Sequence, residues 1–190
     1  MRQRNIHRFL FFGFFLILLI YGCESQGGTD FYLGEMPIPS DNPMTTEKIE
    51  LGRQLFFDKR LSPDNSVSCS TCHQPNKAFT DGLMISKGFH NRMAMRNAPT
   101  LLNVGFLKKL MFDGEVPNLE MQVLVPLKDS AEMANDMRLL ISKLNKIPKY
   151  NKQAKQIFQR DFDAYVLTRS LASFQRSLIS DHTPYDRYVK

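Results

Sequence analysis

The sequence predicts an all-α fold, and the clearest observation is the hydrophobic periodicity of its last long segment, 161–179. Its buried face is formed at helical spacing by Tyr165, Leu167, Leu171, Phe174 and Leu178. We expect Arg169 and Arg176 of this helix to face solvent. No segment alternates polar and apolar residues as a strand would, and the sequence contains no internal repeat. Residues 24–190 are numerous enough for one domain with a hydrophobic core.

Further helices are predicted in order along the chain. Thr45 and Thr46 are suitable N-cap residues for a helix that runs to about Asp58. Its apolar face consists of Ile49, Gly52, Leu55 and Phe56. A turn at 61–65 follows, and a poorly periodic segment with two glycines at 80–99 is expected to be a loop. The other predicted helices are 119–125, 131–144 and 150–157.

The N-terminus has the pattern of an export signal. Three arginines, the last of them Arg8, precede the apolar run 9–20, which is short for a membrane span but suits a signal peptide. The run ends at Gly22 and Cys23, as in a bacterial lipoprotein signal whose cysteine is acylated after cleavage. We therefore expect a signal peptide at 1–22, a Gly-, Pro- and Ser-rich tether at 23–44, and a protein held at the membrane. An uncleaved membrane anchor is the alternative.

The run Cys69–His73 has the spacing C-x-x-C-H. Two thiols so placed can bond covalently to the vinyl groups of one haem, and the histidine that follows can bind its iron. A disulfide redox pair, half of a zinc site and a chance match are the alternatives. Zinc needs about four ligands, and the only other cysteine, Cys23, lies in the signal. Export favours haem, because c-type haem is attached outside the cytoplasm.

The charge of the chain gives no support for nucleic-acid binding. The formal net charge is +6, and it falls to +3 beyond the signal, which holds Arg2, Arg4 and Arg8 and no acidic residue. The remaining excess is small and largely scattered.

Several separate motifs resemble the N-terminal haem domain of the bacterial di-haem cytochrome c peroxidases, a superfamily that also contains MauG. The motifs are 51–58, 61–62, 68–73, 79–82, 96–103, 113–114, 119–122, 126, 132–133, 171–178 and 185–188. Their order and spacing agree over nearly all of the chain after residue 45. The resemblance implies a cytochrome c-like haem domain at 45–180, followed at 181–190 by the start of a connection to a second haem domain. It also implies a periplasmic enzyme that reduces hydrogen peroxide with electrons from a small cytochrome c or cupredoxin, and it allows a homodimer.

The resemblance assigns roles to individual residues. His73 would be the proximal ligand of haem c, and His90 the distal ligand of the resting iron. A methionine is the rival sixth ligand, with Met84, Met93, Met95 and Met111 as candidates. Gln122 and Glu132 match the family glutamine and glutamate at the peroxide site, where the glutamate acts as acid and base and the glutamine orients peroxide. Asn97 matches a family position that helps to bind calcium.

Two departures from the family pattern are visible. Phe112 stands where the family usually has tryptophan, and phenylalanine is much harder to oxidise, so electron relay through this position is not expected. The sequence has one C-x-x-C-H run and no second. Because family members continue into a second haem domain, we expect this sequence to be the peroxide-reactive half of a longer protein; a natural truncation that leaves a single haem is the alternative. The alternative function is a membrane-tethered mono-haem cytochrome that carries single electrons without peroxidase turnover.

Overall fold

The computed structural model describes residues 34–181 and 183–189. The predicted signal peptide 1–22, Cys23 and the first part of the tether lie outside the described residues. Across the described ranges the secondary structure consists of helices and a few isolated bridges, without a strand. The prediction of an all-α fold is confirmed. No helix in the described part of the chain is both long and apolar enough to span a membrane.

The helices described are α1 Thr46–Phe57, α2 Cys69–Cys72, α3 Leu119–Gln122, α4 Leu124–Lys128, α5 Met137–Asn145, α6 Pro148–Phe158, α7 Ala164–Arg176 and α8 Pro184–Val189. Short 3₁₀ turns are formed by Lys59–Leu61, Pro75–Lys77, Phe89–Asn91 and Val104–Phe106.

Helix α1 agrees closely with its prediction. The Thr45 side chain accepts a hydrogen bond from the Lys48 backbone N–H at 3.3 Å, so it is the N-cap. Of the predicted apolar face, Gly52, Leu55 and Phe56 are buried and Ile49 is half-buried against the core.

Helices α1 and α7 cross so closely that only glycine fits at the crossing point. A Cβ atom on Gly52 would lie 1.9 Å from the carbonyl oxygen of Ser170 and 2.8 Å from the Cβ of Phe174. This contact brings the two helix backbones together and forms the centre of the hydrophobic core.

The helix predicted at 119–125 is divided into α3 and α4, which meet at Val123. Pro126 has no N–H and cannot donate to the carbonyl oxygen of Gln122, four residues earlier. The division places Gln122 at the end of a single helical turn.

The helix predicted at 131–144 was wrong over its first part, because α5 begins only at Met137. The Asp136 side chain accepts hydrogen bonds from the Arg138 and Leu139 backbone N–H groups and thereby starts the helix there. Ala134 has a left-handed backbone, with φ at 54°. Residues 129–135 therefore form a turn, and Glu132 lies in this turn and not on a helix.

Helices α6 and α7 confirm the predictions at 150–157 and 161–179 to within a few residues. Asp163 caps α7 by accepting from the Val166 N–H at 2.9 Å. The expectation that Arg176 faces solvent was wrong. Its side chain is only 3 % exposed and forms a bidentate ion pair with the buried Glu120 of α3, at 2.5 and 2.9 Å. Periodicity could not reveal this acidic partner, which lies 56 residues earlier in the chain.

The segment 183–189 belongs to a second, separate unit and is described by itself. Thr183 and Asp186 cap the short helix α8 reciprocally: Thr183 donates to the Asp186 carboxylate, and the Asp186 N–H donates back to Oγ1 of Thr183.

Candidate haem site

The C-x-x-C-H run forms one turn of helix. Helix α2 holds Cys69 and Cys72 three residues apart, so both thiols lie on the same side of the turn. The Ser68 backbone N–H donates to Oγ1 of Thr71 at 3.0 Å, which fixes the start of the turn. The His73 N–H donates to the carbonyl oxygen of Cys69 at 3.0 Å and closes it.

The imidazole of His73 is oriented by the loop that follows. Phe79 has a left-handed backbone, and its N–H donates to the carbonyl oxygen of Gln74 at 2.9 Å, so the chain turns back towards α2. Nδ1 of His73 lies 2.9 Å from the Phe79 carbonyl oxygen. A carbonyl only accepts, so Nδ1 carries the proton and Nε2 keeps a free lone pair, as an iron ligand must. Burial lowers the pKa of His73, which favours the neutral, ligating imidazole.

The two thiols do not form a disulfide. Burial raises the pKa of Cys69 to about 12 and that of Cys72 to about 11. Reactive redox cysteines have lowered pKa values, so this environment is unlike that of a redox pair. No group of three or more His, Cys, Asp or Glu side chains in the described ranges is placed to hold a metal ion.

Both cysteines and His73 line a cleft with about 540 Å³ of empty space, part of it open to solvent. Gln122 and Glu132 line the same cleft. The structure therefore brings together the predicted haem-attachment residues and the predicted peroxide residues. The remainder of the lining is mainly apolar and comprises Phe56, Val67, Ser68, Thr71, Gly88, Leu101, Pro126, Met133 and Gln175.

The residues present fit a covalently attached haem. Apolar walls suit the macrocycle, the thiols suit its vinyl groups, and Nε2 of His73 is available to the iron.

Glu132 is held in the cleft by its backbone. Its carbonyl oxygen accepts a hydrogen bond from the Phe89 N–H at 2.8 Å. Gly88 packs directly on this turn, since a Cβ there would lie 2.2 Å from the Ala131 carbonyl oxygen. Burial raises the pKa of the Glu132 carboxyl group, and the nearby Asp129 carboxylate raises it further. Such a carboxyl group holds its proton more readily than a solvated glutamate.

Gln122 is positioned by the short helix α3. Asn118 caps this helix by accepting from the Met121 N–H at 2.9 Å, and the Gln122 N–H donates to the Asn118 carbonyl oxygen at 3.0 Å. The Met133 N–H donates to the Pro126 carbonyl oxygen at 3.2 Å and joins the Glu132 turn to α4. The two predicted peroxide residues are thus held on adjoining segments.

The structure does not bring His90 into the cleft. Its ring stacks on Phe89 at a centroid distance of 4.0 Å, and its Nε2 lies 3.0 Å from Oδ2 of Asp64 in an exposed contact. The rival methionines are exposed or nearly so and do not line the cleft: Met84, Met93, Met95 and Met111. The sixth ligand therefore stays a prediction.

Asn97 and Phe112 lie at the surface of the described structure. The Arg96 guanidinium covers one face of the Phe112 ring at 3.9 Å from its centroid. The calcium role of Asn97 also stays a prediction.

The sequence interpretation missed two residues that line the cleft, Met133 and Gln175. Gln175 follows Leu171 by four residues and therefore lies on the buried face of α7. The sequence did contain one signal for Gln175, because it is a polar residue on the apolar face of the predicted helix. Met133 was counted as a helix-core residue, because the turn at 129–135 was not foreseen.

A helical domain with a C-x-x-C-H turn beside an apolar cleft is typical of c-type haem proteins. The di-haem cytochrome c peroxidase family model matches residues 46–190, and this chain belongs to that family.

Two curated relatives and one solved structure show the similarity in detail. The chain is 39 % identical over 155 residues to the methylamine utilization protein MauG of Methylophilus methylotrophus, covering 81 % of this chain and 46 % of that protein. It is 38 % identical over 163 residues to the cytochrome-c peroxidase IdrP1 of Pseudomonas sp. strain SCT, covering 83 % and 42 %. A solved MauG-like protein associated with microbial copper homeostasis superposes with a TM-score of 0.78 at 32 % identity, covering 84 % and 48 %. The chain spans less than half the length of these relatives.

Proposed function

We propose that this chain carries the peroxide-reactive haem of a di-haem cytochrome c peroxidase. The observation that supports this most is the shared cleft, which contains the haem-attachment cysteines, His73, Gln122 and Glu132. A simple electron carrier needs the two cysteines and His73 and has no use for a half-buried acid beside them.

Cys69 and Cys72 would hold the haem through thioether bonds, and Nε2 of His73 would bind its iron. The bound haem supplies the site at which peroxide is reduced. The Phe79 carbonyl oxygen keeps the His73 ring in the correct tautomer and makes Nε2 more basic. The apolar lining would contact the haem macrocycle.

Glu132 would move the proton that peroxide reduction requires. A carboxylate oxygen takes the proton from one peroxide oxygen and delivers it to the other, so that the second oxygen leaves as water. The raised pKa of Glu132 suits this exchange, because the group binds and releases a proton at less acidic pH than a solvated glutamate. The Gln122 amide would orient the peroxide.

The wider assignment also belongs to this proposal. The full protein would contain the domain 45–180, a connection beginning at 181–190 and a second haem domain that receives electrons from a small cytochrome c or cupredoxin. Calcium at Asn97 and a homodimer remain further expectations from the family. The signal at 1–22 supports a periplasmic lipoprotein anchored through Cys23.

A second candidate function, one-electron transfer without turnover, is favoured by one observation. Met133 is buried in the cleft lining, and a methionine that binds the iron together with His73 would produce a carrier-type haem.

The substitution Met133→Leu distinguishes the peroxidase proposal from the electron-carrier alternative. The full protein is prepared with both haems attached, and peroxide consumption is followed with a reduced small cytochrome as donor. The peroxidase proposal predicts turnover in the parent and essentially the same turnover in Met133→Leu, which keeps an apolar side chain of similar size. No turnover in the parent, together with a large change in its haem spectrum on substitution, would identify Met133 as a ligand and support the carrier.

A further inference from the structure

Gln175 is a buried polar residue of the cleft to which the proposed chemistry gives no role. Its side chain is 7 % exposed and lines the cleft. Its Oε1 is buried and has no hydrogen-bond partner in the described part of the chain. Because nearly all buried polar groups in proteins are paired, an unpaired amide oxygen beside a cofactor cleft indicates a missing donor.

An ion pair between α7 and α3 links the helix end that carries Gln175 to the helix end that carries Gln122. Arg176, the next residue on α7, forms the bidentate ion pair with Glu120 of α3. Gln122 follows Glu120 by two residues. The buried ion pair therefore fixes the two helix ends against each other at the point where each contributes a glutamine to the cleft.

No side chain of the lining donates a hydrogen bond to this oxygen. The lining contains no lysine or arginine, and its donors other than the glutamines are the Ser68 and Thr71 hydroxyls, the two cysteine thiols, the His73 N–H that is bonded to Phe79, and Glu132 when protonated. A small ligand in the cleft can supply the donor. Hydrogen peroxide and water both donate as well as accept, whereas haem carboxylates when ionised only accept.

We propose that Gln175 is a third side chain of the peroxide pocket, and that its Oε1 accepts a hydrogen bond from the peroxide oriented by Gln122. This inference rests on the proposed function. Gln122 and Gln175 would then hold peroxide between two amides, while Glu132 remains the proton carrier.

Gln175→Leu tests the proposal, with Ser170→Ala as the matched control. Ser170 lies on the same helix and has a buried, unpaired hydroxyl, but it does not line the cleft. The first measurement is the infrared stretching frequency of carbon monoxide bound to the reduced, haem-loaded protein. An amide oxygen beside carbon monoxide opposes negative charge on it and keeps the frequency high. Gln175→Leu should therefore lower the frequency, and Ser170→Ala should leave it unchanged.

The second measurement is steady-state peroxide consumption by the full protein, which includes the second haem domain that receives the electrons. Loss of one hydrogen bond to peroxide should raise its KM about tenfold in Gln175→Leu, with a smaller change in kcat. An unchanged carbon monoxide frequency in Gln175→Leu, or an equal shift in Ser170→Ala, would overturn the role of Gln175. Absence of turnover in the parent would instead overturn the proposed function, and the carbon monoxide comparison would still decide whether Gln175 faces the ligand.

Discussion

Gly88 shows how one residue without a side chain positions another. The Gly88 backbone lies so close to the 131–132 segment that a Cβ would be 2.2 Å from one carbonyl oxygen and 2.6 Å from the Glu132 Cα. The next residue, Phe89, donates its N–H to Glu132, and the Arg92 guanidinium donates to the Ser130 carbonyl oxygen at 2.9 Å. The loop that carries His90 therefore also supports the Glu132 turn.

Gly88→Ala should displace this turn. We expect a loss of stability of about 1–3 kcal/mol from overpacking and a fall in peroxide turnover, because Glu132 moves. Gly82→Ala is the control: Gly82 also lies in this loop region, with a positive φ, but its Cβ would meet only the Lys77 side chain, at 3.7 Å. Thermal unfolding and peroxide consumption are measured for both variants. Equal effects on turnover would show that Gly88 does not position Glu132.

The sequence predicts the position of some cleft residues but not of others. Cys69, Cys72 and His73 were predicted from spacing alone, because covalent attachment and ligation impose that spacing locally. The place of Glu132 in the cleft agrees with the family resemblance, but its surroundings depend on Gly88, forty-four residues earlier in the chain. Gln175 was missed because its role depends on contacts between helices that are distant in sequence.

At the scale of elements, a buried polar network ties α3 and α7 to the N-terminal segment. Asn42, fully buried, donates through Nδ2 to Glu120 at 2.7 Å and to the Arg169 carbonyl oxygen at 3.1 Å. Lys48 of α1 donates to Oδ1 of Asn42 at 3.3 Å. Arg176 completes the network through Glu120. Burial would raise the pKa of Glu120, but the hydrogen bonds from Arg176 and Asn42 outweigh burial and lower it.

This network should make the free energy of unfolding depend on pH in the acidic range. Glu120 has a lower pKa in the folded state than the ordinary 4.5, so its contribution is complete above that value and is lost as the pH falls through the folded pKa. The free energy of unfolding, measured by urea titration from neutral to acidic pH, should decrease accordingly. Glu120→Gln removes the titrating group and should give a shallower acid dependence as well as lower stability at neutral pH. Identical slopes for parent and variant would contradict this role.

Elements were predictable where local signals decide them. Thr45, Asp163 and the stripe of α7 define helices that agree with the sequence pattern. The segment 131–136 has helical spacing, but the caps at Asp129 and Asp136 and the positive φ of Ala134 give a turn. Hydrophobic spacing alone does not detect such side-chain caps, which compete with the helix.

At the scale of the molecule, the described residues 34–181 form one core around the α1–α7 crossing, with the cleft at its edge. The all-α class followed from periodicity, and the family comparison agrees with it. The way distant segments meet could not be read from periodicity. The cleft is lined by residues of α1, α2, α3, α4, α7 and three connecting segments, and only the folded chain shows which side chains face inward.

Rapid mixing of the haem-loaded chain with hydrogen peroxide, followed by haem absorbance, tests most directly whether this cleft is a peroxide site. The second-order rate constant should fall on the order of a hundredfold in Glu132→Gln, because the amide cannot move the proton. Glu115→Gln, at an exposed position, should react like the parent. Equal rate constants for Glu132→Gln and the parent would contradict the assignment of this cleft to peroxide reduction.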